Sequence, residues 1–195
     1  QFKDQAENIS TYTASIVLDS TTPTGSVSIN AGAAYTNSSS VALTISAVDA
    51  GSGVAEMRLT NAGSAWQAWE PYAVEKSWTL ASGTGTKTVY VQFRDQIGLT
   101  STMCTDSIVV DTTAPSVPGT PTDAGAYTGN TSVTFNWTAS TDTGASGIEG
   151  YLCQVGTTPN GSDVFDGSVG NVLTKTLTLP NAYRYFCRVQ AKDRA

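Results

Sequence analysis

Val89 to Pro115 reads VYVQFRDQIGLTSTMCTDSIVVDTTAP, and both ends of the chain repeat parts of it. Gln1-Phe2-Lys3-Asp4-Gln5 matches Gln92-Phe93-Arg94-Asp95-Gln96, and Ile16 to Pro23 (IVLDSTTP) matches Ile108 to Pro115 with one residue of slippage. Val189-Gln190-Ala191-Lys192-Asp193 begins a third copy. The stretch reads as the last two strands of a β module and the linker into the next. Gln92 follows Gln1 by 91 positions in a chain of 195 residues, a period that marks a tandem array of which this sequence is an excerpt. The expected units are the closing strands of an upstream module with its linker (1–22), one complete module (23–113) and a module short of its last strand (114–195).

Composition narrows the function classes. Charged residues make up 13% of the chain and the net charge is -6, so the Lys and Arg clusters that phosphate binding needs are missing and nucleic acid is not expected as a partner. No apolar run approaches the roughly 20 residues of a membrane span, and any export signal is expected outside this fragment. The chain has no His, and its three Cys do not form CxxC pairs, which removes the usual zinc ligands and the commonest catalytic base. Asp163 and Asp166 are paired carboxylates, but they lie in a loop with no second acidic cluster to tune a pKa, so no catalytic residue is expected. N-x-[ST] sequons at Asn8, Asn37, Asn130, Asn136 and Asn160 mark candidate N-glycosylation sites. Low charge with abundant Ser, Thr, Gly and Asn points to an extracellular or cell-surface β protein.

Along the chain the apolar period is two throughout, with no helical period. Ser40 to Val48 alternates cleanly, with Val41, Leu43, Ile45 and Ala47 on one face. Asp49-Ala50-Gly51-Ser52-Gly53 turns the chain into a strand from Val54 to Leu59. Pro71 cannot donate to an interior ladder and places its segment on a sheet edge. Gly83-Thr84-Gly85 turns into Lys87 to Arg94, and Asp106 to Asp111 closes the module. Tyr12 to Asp19 is expected as the equivalent closing strand upstream. In the last unit Val133, Phe135 and Trp137 share one face, as do Tyr185, Cys187, Val189 and Ala191. Seven short strands at this spacing predict all-β, tandem Greek-key sandwiches.

SGVAEMRLTNAG, WEPYA, KSWTLASG, GTKTVYVQFRD and the DTTAP linker resemble a bacterial or archaeal surface Ig-like repeat along nearly all of residues 23–113. SVTFNWTAS with Trp137, SGIEGYLCQV and YRYFCRVQAKD resemble a fibronectin type III module, with Tyr185 where that family keeps its tyrosine corner. Both resemblances imply non-catalytic spacer or binding modules. In that fold the third and sixth strands are neighbours, so Cys153 and Cys187, both facing inward, are expected to form a disulfide, two buried free thiols being the alternative. Cys104 is left over.

Two constellations could carry binding. Asp19, Asp49, Asp95, Asp111 and Asp142, with Asp193, sit in turns near module junctions and supply hard oxygen ligands for calcium; otherwise each Asp caps its own turn. Calcium is the one cofactor the sequence suggests. Trp66, Trp69, Tyr72 and Trp78 could form a glycan-binding platform, or instead pack over one end of the sandwich. The favoured expectation is a spacer or stalk in a long extracellular protein or filament, touching neighbouring modules through stiff linkers at Thr21-Thr22-Pro23 and Thr113-Ala114-Pro115. Head-to-tail polymerisation, with Tyr12 to Asp19 donated to the edge of the last strand in another copy, is a second way to assemble it. The alternative is an adhesin that binds glycan or protein through the Trp66 to Trp78 surface.

Overall fold

The computed structural model describes residues 2–181 and 183–195. Two strands of two residues each, β1 (Phe2–Lys3) and β2 (Ile9–Ser10), pair antiparallel at the start of the chain. Between them the Asp4 carboxylate accepts the amides of Ala6 and Asn8. Gln1, the first residue of the repeat, lies outside the described residues.

The first sandwich is built from β3 (Thr24–Ile29), β4 (Tyr35–Thr36), β5 (Ser40–Val48), β6 (Val54–Asn61), β7 (Glu70–Pro71), β8 (Glu75–Thr79), β9 (Gly85–Asp95) and β10 (Cys104–Val110). One sheet has the order β3-β5-β8 and the other β4-β10-β9-β6-β7. The pairs are antiparallel except β4 with β10. This is an Ig-like arrangement. The alternation of β5 puts Val41, Leu43 and Ile45 inside, facing Met57, Leu59, Val89, Val91 and Phe93 from the opposite sheet. Ile108 and Val110 of β10 complete that core. Pro71 falls in β7 at the outer edge, where the missing amide costs no ladder bond.

The second sandwich consists of β11 (Ser132–Asn136), β12 (Ile148–Gly156), β13 (Phe165–Gly170), β14 (Thr174–Thr178) and β15 (Phe186–Asp193). β11 pairs with β14, and β13-β12-β15 form the facing sheet, a fibronectin type III-like order. Thr122 extends the small sheet through two backbone bonds to Asn136. Phe135, Trp137, Tyr151, Cys153, Val155 and Leu179 are the buried core. The Tyr185 hydroxyl donates to the Pro180 carbonyl at 2.9 Å, the corner that the resemblance implied.

One expected strand is not formed. Residues 11–23 make no ladder, and Ile16, Val17 and Leu18 are 94%, 81% and 91% exposed. Their equivalents Ile108 to Val110 are held by three register pairs to β9 and by a core beneath them. Ile16 to Leu18 have neither, and a two-residue ladder alone does not hold a strand in place.

Candidate functional site

Each linker is seated in the module that follows it, by the same contacts twice. The Asp19 Oδ1 caps its own turn by accepting the Thr21 amide, while Oδ2 reaches forward to accept the Ser52 amide at 2.6 Å. Asp111 does the same: Oδ1 accepts the Thr113 amide and Oδ2 the Ser146 amide at 2.8 Å. Both carboxylates lie against a glycine, Gly51 and Gly144, where a methyl group would collide with the acid. The turns that receive them are themselves held by an aspartate. Asp49 accepts the Gly51 and Gly53 amides, and Asp142 accepts those of Gly144 and Gly147. Asp111 is also fastened behind, its amide donating to the Thr36 carbonyl of the first sandwich at 2.9 Å.

A third carboxylate completes each cluster. Asp19, Asp49 and Asp95 bring one oxygen each within 4.8 Å of one another, and so do Asp111, Asp142 and Asp193. Asp19, Asp49, Asp111 and Asp142 each accept hydrogen bonds through both carboxylate oxygens. Asp95 Oδ1 accepts the Ile97 and Leu99 amides, the same pattern as Asp4 with Ala6 and Asn8. Asp95 Oδ2 is buried without a partner on a residue only 2% exposed. Beside the linker acids, Ser52 Oγ and Ser146 Oγ are likewise buried and unpartnered. These hydroxyls lack hydrogen-bond geometry to the acids yet favour their ionised form. With the Thr21 amide and hydroxyl they hold Asp19 well below the usual carboxylate range, and with the Thr113 and Ser146 amides they lower Asp111. Each cluster is a set of hard carboxylate oxygens, the ligand type that calcium takes. The junctions differ in one neighbour: Arg194 donates to the Ser146 carbonyl at 2.8 Å, whereas the residue after Asp95 is the neutral Gln96.

The four aromatic residues do not form one platform. Trp78 is buried opposite Val41 and donates to Asn61 Oδ1, and Tyr72 packs edge-on against Phe93 with its hydroxyl accepting the Ala47 amide. Trp66 and Trp69 lie on the outside of the other sheet. There Arg58 sits 4.7 Å from both rings and Arg94 4.6 Å from Trp69. Arg58 is anchored by Gln92 and Arg94 by Glu56. The indole faces that would stack on a sugar are occupied by guanidinium groups. Alternation along the sequence says nothing about which sheet a loop ring joins, so this split was not readable in advance.

Cys153 and Cys187 face one another as free thiols, with their sulfurs 3.9 Å apart. They are not directly opposite: Cys153 pairs with Val189, and Cys187 with Val155. Either thiol can donate to the other, and the contact raises the Cys187 pKa and lowers that of Cys153. Cys104 packs at the edge of the first core, where burial raises its pKa. The Asp163 carboxylate is taken up by the Thr157 amide and hydroxyl, so it is a turn cap. All five sequon asparagines are exposed.

Sequence reasoning passed over Ser52, Ser146, Gly51 and Gly144. Their signal was the recurrence of D-A-G-S-G after β5 as D-T-G-A-S-G between β11 and β12.

No protein-family model matches the chain. A stretch of 96 residues, 48% of this chain and 9% of that protein, is 44% identical to Endoglucanase B of Cellulomonas fimi. One of 85 residues, 44% of this chain and 7% of that protein, is 42% identical to Exoglucanase B of the same species. The chain thus spans less than a tenth of the length of these relatives. Among solved structures, the FN1-FN3 domains of chicken CNTN1 superpose with a TM-score of 0.49 at 15% identity, covering 87% of this chain and 62% of that one. The central fibronectin-III array of RIM-binding protein gives a TM-score of 0.35 at 16% identity, over 91% and 62%.

Proposed function

We propose that the chain is a non-catalytic spacer in an extracellular multi-module protein, and that its task is to hold successive sandwiches at a fixed orientation. The observation that carries this reading is Asp111. Its amide is bonded to Thr36 in the first sandwich, its carboxylate to Ser146 in the second, and the residue is 1% exposed. One residue bonded to both modules leaves few soft dihedral angles between them. Ser116 and Thr141 add backbone and hydroxyl bonds that fasten the rest of the linker to the second sandwich.

A spacer role fits the short matches to the two glucanases, in which a homologous stretch makes up 9% and 7% of the protein. It also fits a chain without His in which Asp19, Asp49, Asp111, Asp142 and Asp163 hold turns and linkers. Exposed sequon asparagines are consistent with an extracellular setting. Assembly with further copies would use the edge of β15 that β12 leaves free and the exposed Ile16 to Leu18. Sedimentation velocity showing monomers at all concentrations would remove that extension without touching the spacer reading.

The test is rotational diffusion by 15N relaxation. The intact chain should tumble as one elongated body, and Asp111→Ala should let the sandwiches reorient separately. Independent tumbling of the intact chain would reject the spacer role.

A further inference from the structure

We infer that the Asp19–Asp49–Asp95 cluster is a calcium site at the entrance of the first sandwich, and that the Asp111–Asp142–Asp193 cluster is a weaker copy of it. The first ground is geometric. Three carboxylates from a linker, a turn and a strand end bring oxygens within 4.8 Å of one another, and the arrangement occurs twice in one chain. Like charges at that spacing repel, and no side-chain cation is bonded to any of the three acids at the first junction among the described residues.

The second ground is the burial of an oxygen that nothing in the protein satisfies. Asp95 Oδ2 lies on a residue only 2% exposed and has no hydrogen-bond donor. A buried unpaired carboxylate oxygen costs far more than a solvated one unless a cation meets it. Ser52 Oγ, also buried and unpartnered, supplies a neutral oxygen. At the second junction Ser146 Oγ takes that position, again buried and unpartnered. An oxygen-only set of mixed origin, completed by carbonyls and water, suits the tolerant coordination of calcium rather than the rigid octahedron of magnesium.

The inequality of the two sites follows from Arg194. Its guanidinium is bonded to the Ser146 carbonyl beside the second cluster and offsets part of the negative charge that draws a cation. Gln96 occupies the matching position at the first junction and offsets none.

Ion binding stands apart from the spacer reading, because the junctions are already seated by hydrogen bonds. Calorimetric titration of the divalent-free full chain with calcium chloride at constant ionic strength reads it directly. Two unequal saturable events are expected, with dissociation constants of about 0.1–1 mM, the range of extracellular modules. Asp95→Asn keeps one oxygen for the Ile97 and Leu99 amides and should remove the tighter event while circular dichroism stays native. If that variant does not fold, Asp19→Asn serves in its place. Arg194→Gln should tighten the weaker event several-fold. No saturable heat up to about 10 mM calcium, equal binding of magnesium, or an isotherm unchanged by both Asp→Asn variants would overturn the inference.

Discussion

The first sandwich is sealed by β10, and the second has no counterpart of that strand among the described residues. Ile108 and Val110 of β10 are buried against Val89, Val91 and Phe93, and the next residue is Asp111, locked into the second sandwich. In the second sandwich Val133, Tyr185, Cys187 and Val189 stay only half-buried around six core residues. The difference shows what a closing strand does in such an array. It completes one core and, in the same run of residues, aims the linker acid at the next module. On the spacer reading, linker stiffness is inherited from core packing rather than from the prolines alone.

The sharpest way to break this contrast is in the cores. Phe93→Ala, at a fully buried position, should destabilise the first sandwich by about 3–5 kcal/mol. Leu177→Ala, at a half-buried one, should cost the second about 1 kcal/mol. Urea unfolding followed by fluorescence would measure both, and equal costs would mean that the second core is as complete as the first. Next in size is the thiol pair. Air oxidation should join Cys153 to Cys187 after a small side-chain movement and stabilise the second sandwich by about 2–4 kcal/mol, leaving the first unchanged. Non-reducing peptide mapping that recovers both as alkylatable thiols would reject the bond.

The smallest effect is the response of the linkers to acid. Asp19 and Asp111 have pKa values lowered in the folded chain, so their contribution is full above the unfolded value of about 3.9 and is lost as pH falls below it. In the folded chain the amide resonances of Ser52 and Ser146 should hold their positions through about pH 4, the ordinary carboxylate midpoint, and move only at lower pH. Movement centred at about pH 4 or above would mean that the carboxylates are not held in their charged form.

Much of the fold could be read from residue order because a period of two is a local property. Val41, Leu43 and Ile45 had to share a face, and Pro71 had to lie on an edge. The cysteines show where that stops. Alternation places Cys153 and Cys187 on inner faces, but the offset between strands is set by pairing along β12, where the register shifts between Ile148 and Gly150. The aromatic residues failed differently, since Trp66 and Trp69 precede β7 in a loop whose path depends on Arg58 and Arg94. The junction acids were legible as repeated turn residues. Their grouping into threes was not, because a linker, a turn and a strand end meet only after both sheets have formed.

Small-angle scattering of the intact chain beside Asp111→Ala tests the central claim most directly, namely that one side chain fixes the angle between the sandwiches. The account predicts a profile fitted by a single extended arrangement for the intact chain, and a broader ensemble with a shorter mean end-to-end distance for Asp111→Ala with both sandwiches still folded. Superimposable profiles for the two proteins would contradict it.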